Sequence, residues 1–129
     1  MNAATEMKRV LVVEDDPLIQ KLVENFLRTL PDVDVVVVAD ARSAMNQLQA
    51  GNAFRLVCLD LMLPEVSGFE LCRRIRALPG AEELPILVVS ARTLPADRAY
   101  AAELGANGYI TKPFTRAEFL KQVRSLVGA

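Results

Sequence analysis

Acidic, hydroxyl and ammonium side chains suited to a single phosphoryl-transfer site stand at the ends of four short apolar runs. Val10–Val13 leads into Glu14, Asp15 and Asp16, and Leu56–Leu59 leads into Asp60. Ile86–Val89 leads into Ser90, and Gly108–Thr111 leads into Lys112 and Pro113. Carboxylates brought together repel one another, so they share a proton or bind a cation. With oxygen donors alone, the cation expected is Mg²⁺, or else Mn²⁺, octahedral and partly hydrated. Asp60 is the candidate nucleophile, because a carboxylate can attack a phosphoryl group and form an acyl phosphate. A bound metal would screen the repulsion between that carboxylate and the phosphoryl oxygens. Lys112 offers a point charge for a phosphoryl oxygen, and Ser90 offers a hydroxyl donor. Plainer readings stand beside these: a solvated lysine, a serine that caps a helix, and Tyr109 as a core aromatic with a wet hydroxyl.

The elements that must position these groups are legible in the apolar pattern. Apolar runs of this length, separated by helical periodicity, read as buried parallel strands. Asp16 with Pro17 predicts an N-cap and first helical residue, followed by a stripe of Leu18, Ile19, Leu22, Val23, Phe26, Leu27 and Leu30, with Pro31 closing the helix. Val33–Val38 predicts a second strand, and Asp40 caps a helix with Ala41, Ala44, Met45 and Leu48 inward and Gly51 at its end. Ser67 to Glu70 and Thr115 to Glu118 have capping-box spacing. The first opens a helix with Leu71, Cys72, Ile75 and Leu78 inward; the second opens one with Phe119, Leu120, Val123, Leu126 and Val127 inward. Between them, an alanine-rich helix over Pro95 to Leu104 has a weak apolar stripe and is the least firmly anchored. Five strand–helix repeats predict an α/β fold, a doubly wound five-stranded parallel sheet of flavodoxin-like order 2-1-3-4-5. Its switch point lies between the strands that end in Glu14-Asp15 and in Asp60, where such sheets bind ligands.

Composition narrows the chemistry. The chain has 129 residues, a formal net charge of −1 and no histidine. That excludes a Ser-His-Asp triad, a Cys-His nucleophile and a His-ligated metal. It also means the chain cannot carry its own phosphohistidine. The near-neutral charge gives no general pull toward nucleic acid or an anionic membrane, and Arg73, Arg74, Arg76, Lys121 and Arg124 read as solvated helix faces. Cys58 and Cys72 lack CxxC spacing and fall at buried positions, which fits a reduced, cytoplasmic setting. The longest apolar run is too short to span a bilayer, and Met1–Met7 has no apolar signal core.

Four motifs taken together resemble the receiver domain of two-component response regulators, from about Arg9 to Leu126. They are Leu11-Val12-Val13-Glu14-Asp15-Asp16-Pro17; Asp60-Leu61-Met62-Leu63-Pro64 with Gly68; Val88-Val89-Ser90-Ala91; and Gly105-Ala106-Asn107-Gly108-Tyr109-Ile110-Thr111-Lys112-Pro113-Phe114. The resemblance implies a CheY-like switch in which Asp60 accepts a phosphoryl group from a phosphohistidine on a sensor histidine kinase or a histidine phosphotransfer protein. It implies that Glu14, Asp15, Asp60 and the backbone carbonyl of Met62 hold Mg²⁺. Ser90 and Lys112 would contact the phosphoryl group, and Tyr109 would turn inward, shifting the surface formed by the fourth helix, fifth strand and fifth helix. Met62 and Arg92 occupy positions that tune dephosphorylation in the family; Arg92 would shield the acyl phosphate from water. The downstream reader would be a separate protein or a fused output domain. Residues 1–8 are an extension, 9–127 the receiver, and no output domain is expected within the sequence. The implied role is not that of a turnover enzyme, although a receiver catalyses its own phosphotransfer and dephosphorylation.

Departures from the family pattern are Asn107-Gly108 in place of an acidic pair, and Gln122 where many DNA-binding relatives carry an arginine that pairs across a dimer. Two alternatives remain. One is an interaction module of the same fold that is never phosphorylated. The other is a haloacid-dehalogenase-type phosphatase, which needs a second aspartate where Met62 stands.

Overall fold

The computed structural model describes residues 7–51 and 53–128. In chain order the elements are β1 (Lys8–Val13), α1 (Pro17–Leu27), β2 (Val33–Val38), α2 (Ala41–Gln49), β3 (Phe54–Leu59), α3 (Gly68–Arg76), β4 (Ile86–Ser90), α4 (Pro95–Glu103), β5 (Gly108–Thr111) and α5 (Arg116–Val127). All four strand pairings are parallel and the order is β2-β1-β3-β4-β5, as the sequence predicts. Lys8 already heads β1; of the expected extension, residues 1–6 lie outside the described residues.

Two cores flank the sheet. On one face Leu11, Val13, Val57, Leu59, Ile86 and Val88 pack with residues of α2, α3 and α4. On the other, Val10, Val12, Leu56, Cys58, Leu87 and Val89 pack with α1 and α5. Successive residues of a strand point to opposite faces, so strands covered on both sides must be apolar throughout. Cys58 and Cys72 are free, buried thiols, which burial pushes up to about 12 and about 11 respectively.

Local signals mostly set the helix boundaries. Asp16 Oδ1 accepts the Leu18 N–H at 2.9 Å and Asp40 Oδ1 accepts the Ser43 N–H at 2.8 Å. Thr115 and Glu118 form the full reciprocal box. Ser67 forms only half of one, because Glu70 turns its carboxylate to Arg73 and Arg74 instead. Helix α1 also ends at Leu27, short of Leu30, and its apolar stripe is narrower than the periodicity implies: Leu18 is 80% exposed.

The close approach of α3 to β3 explains Gly68. Its N–H donates to the Leu61 carbonyl at 2.9 Å. An added Cβ would lie 2.6 Å from Leu61 Cα and closer still to the Asp60 carbonyl oxygen. Those neighbours are backbone atoms, so relief requires the loop after β3 to move. Gly68→Ala is therefore expected to cost about 2 kcal/mol, as overpacking does, and thermal denaturation reads that loss directly.

Candidate functional site

Backbone pairing runs past the strand ends and fixes the site residues. The Glu14 N–H donates to Val38 O at 3.0 Å, the Asp60 N–H to Val13 O at 3.1 Å, and the Lys112 N–H to Ser90 O at 2.9 Å. Glu14, Asp60 and Lys112 are thereby brought to one edge of the sheet. The Lys112–Pro113 bond is cis.

Lys112 Nζ donates to Glu14 Oε1 at 2.9 Å and to Asp60 Oδ2 at 3.1 Å. The remaining carboxylate oxygens have their own donors: Glu14 Oε2 accepts the Asp16 N–H, and Asp60 Oδ1 accepts the Met62 N–H, each at 3.1 Å. Glu14 is 3% exposed and Asp60 6%, while Asp15 faces solvent. Oxygens of Glu14, Asp15 and Asp60 lie within 4.8 Å of one another. Three carboxylates against one ammonium leave an excess of two negative charges, and the donors are all hard oxygens. The cluster therefore fits an octahedral divalent ion such as Mg²⁺ or Mn²⁺.

Burial raises the Glu14 pKa above the ordinary carboxylate value, offset in part by the hydrogen bonds from Lys112 and Asp16. Burial pulls Lys112 the other way, but its bonds to Glu14 and Asp60 outweigh that, and its pKa is raised. The ammonium is thus locked in its charged form.

Ser90 is fully buried, and its Oγ accepts the Arg92 N–H at 3.3 Å. Tyr109 donates its hydroxyl to the Arg92 carbonyl at 2.8 Å, and its ring packs against the core on the α2–α3 face of the sheet. The Arg98 guanidinium stacks 4.6 Å from that ring's centroid. Burial, then the neighbouring Asp97 charge, raise the tyrosine's pKa. Tyr109 is half-buried, its hydroxyl tied to the loop after β4. Arg92 lies in that loop. Its guanidinium pairs with Asp97 Oδ1 at 3.0 Å and lies 5.8 Å from the Phe69 ring centroid. It is engaged with α4 and α3, and shielding an acyl phosphate at Asp60 would require that pair to open.

Sequence reasoning missed Arg76, grouping it with the solvated Arg73 and Arg74. Its guanidinium instead donates to the carbonyls of Ala81, Leu84 and Gly105 and to Asn107 Oδ1 at 2.7–3.2 Å. Its place one turn after buried Cys72 was the available signal.

The family model described as the response regulator receiver domain matches residues 10–124. This chain belongs to that family. The receiver domain is 38% identical over 133 residues to the alkaline phosphatase synthesis transcriptional regulatory protein SphR of Synechococcus elongatus. That alignment covers 97% of this chain and 51% of SphR, so the chain spans about half the length of that relative. A putative response regulator from Chloroflexus aurantiacus superposes with a TM-score of 0.89 at 29% identity, covering 96% of this chain and all of that one. The receiver domain of sensor histidine kinase PA1611 from Pseudomonas aeruginosa PAO1, solved with magnesium in its active-site cleft, superposes at 0.86 with 32% identity, covering 95% and 99%. The family is not one of classical enzymes. No helix among the described residues is long and apolar enough to cross a membrane.

The raised Glu14 pKa predicts a pH signature. A group with a raised folded pKa lends stability that is complete below its unfolded value of 4.5 and is lost as pH rises through the folded value. In EDTA, wild-type stability should therefore fall from this source above that pH, and Glu14→Gln should be spared the loss. Thermal midpoints of the two proteins, compared from about pH 4 to about pH 8, should diverge in favour of Glu14→Gln. Mg²⁺ should stabilise wild type more than the variant.

Proposed function

We propose that this receiver domain is a phosphorylation-dependent switch in which Asp60 accepts a phosphoryl group from a phosphohistidine on a sensor kinase or phosphotransfer protein. The observation that carries this reading is the environment of Asp60: a buried carboxylate at the end of a central strand, bonded to Lys112 and to the Met62 N–H, beside Glu14. A carboxylate oxygen of Asp60 attacks phosphorus, the phosphorus–nitrogen bond of the donor breaks, and its electron pair returns to the donor's imidazole nitrogen. Lys112, already shared with Asp60, is within reach of an oxygen of the transferred group, and Ser90 offers a hydroxyl from the neighbouring strand end. Glu14, Asp15 and Asp60, with the Met62 carbonyl, would hold a Mg²⁺ or Mn²⁺ ion, which when bound neutralises charge between carboxylate and phosphoryl oxygens.

The absence of histidine from the sequence fits a donor on another protein. The phosphoryl group carries close to two negative charges where the Asp60 carboxylate carried one, enough to bias the loop carrying Ser90 and the Tyr109 hydroxyl bond. The α4–β5–α5 surface is then what a downstream protein or fused output domain reads. Two unpaired, buried cysteines support a reducing, cytoplasmic setting. The Tyr109 hydroxyl already bonded to the Arg92 carbonyl gives some support to a second reading, an interaction module that works without phosphorylation.

Intact mass after incubation with acetyl phosphate and Mg²⁺ separates the two. Wild type should gain one phosphoryl group, while Asp60→Asn and an EDTA control should gain none. Lys112→Ala should slow uptake by about 100-fold, the usual effect of deleting one preorganised donor. An unmodified wild type would favour the second reading.

A further inference from the structure

Helix α4 is held very differently at its two ends. It buries only Asp97 and Ala101, and Leu94 at its N-cap gives no side-chain cap. At its exit, Arg76 makes hydrogen bonds to Gly105 O through both Nε and Nη2, and to Asn107 Oδ1 through Nη2. Gly105 has a φ of +109°, and an added Cβ would lie 2.6 Å from Arg76 Nε. This end is pinned by neutral acceptors on a half-buried arginine, with no carboxylate to exchange. At its entry one ion pair, Arg92 to Asp97, joins it to the loop after β4, with Asp97 8% exposed and in the first turn, beside the Arg98 stack on the Tyr109 ring. An acid there is already favoured by the helix dipole.

Arg92 also touches both members of the switch. Its N–H donates to Ser90 Oγ at 3.3 Å, and its carbonyl accepts the Tyr109 hydroxyl at 2.8 Å. Its guanidinium lies beside Phe69, whose ring centroid is 5.0 Å from that of Tyr100 on α4. One residue therefore bonds through its backbone to Ser90 and Tyr109, and through its side chain to α4.

We propose that the Arg92–Asp97 pair is the link through which the Ser90 loop positions the start of α4, with Arg76 holding the far end as a pivot. This rests on the reading of Asp60 as phosphoryl acceptor. Arg92 acts as a positioning residue: displacement of the loop toward a phosphoryl group at Asp60 moves its backbone, and the ion pair carries that movement to Asp97. Only the Arg92 side of the pair is exposed, its side chain at 42% against 11% for Asp97, so the arginine can leave and return through solvent, unlike the Arg76 network.

The test is amide hydrogen exchange of residues 95–101 in the full chain, with and without beryllofluoride and Mg²⁺. Wild type, Arg92→Gln, Asp97→Asn, the double variant and Arg92→Lys are compared. Each neutral variant should raise basal exchange at least about twofold, the lower end set by exposed ion pairs, and should remove the response of α4 to beryllofluoride. The double variant should be no worse than either single one, as coupled partners require, and Arg92→Lys should restore both readouts. Additive effects, or an Arg92→Gln protein whose α4 responds as wild type does, would overturn the link. Intact mass with acetyl phosphate on the same samples keeps the two failures apart. Phosphorylated Asp60 with an unresponsive wild-type α4 overturns the link alone; an unmodified wild type overturns the reading of Asp60.

Discussion

One ammonium shared between two buried carboxylates organises this molecule. Lys112 holds Glu14 and Asp60 at about 3 Å each and is what allows two acids to stand at the centre of a sheet edge. Burying a charge is costly unless it is paired and hydrogen-bonded, and here each buried carboxylate also takes a backbone N–H. The arrangement still leaves negative charge in excess once Asp15 is counted. The apoprotein is thus stable enough to fold and electrostatically incomplete, which favours a divalent cation and, on Asp60, a group whose oxygens that cation and Lys112 can both meet.

Everything that positions those three side chains is rigid. They sit at the ends of β1, β3 and β5, where ladder hydrogen bonds and two apolar cores leave little room for adjustment. Close packing resists small displacements. The groups that could move lie one strand away: Ser90 at the end of β4, the loop carrying Arg92, and α4 beyond it. A chemical event at a fixed site coupled to an adjacent helix with few buried residues is the division of labour that a two-state switch needs. Tyr109 lies on the boundary, its ring against the core and its hydroxyl on the loop after β4.

Much of this was legible in the sequence because it depends on short-range pattern. Apolar runs with helical segments between them determined five parallel strands, their order and the edge at which the acids, Ser90 and Lys112 gather. Asp16, Asp40 and Thr115 declared their caps because a cap is a contact between residues two or three apart. The absence of histidine was likewise a property of composition, and the hard-oxygen acids at adjacent strand ends pointed to a divalent ion; the external donor was implied by the resemblance.

Tertiary structure alone decided where the long cationic side chains go. Arg73, Arg74 and Arg76 look alike along α3, yet two turn to Glu70 and the third is drawn under the α4–β5 loop by four acceptors, the farthest 31 residues away. Arg92, which the resemblance sets near Asp60, pairs with Asp97. Each of these outcomes turns on which polar atoms of distant segments lie within reach of a flexible side chain, a quantity that no local periodicity encodes.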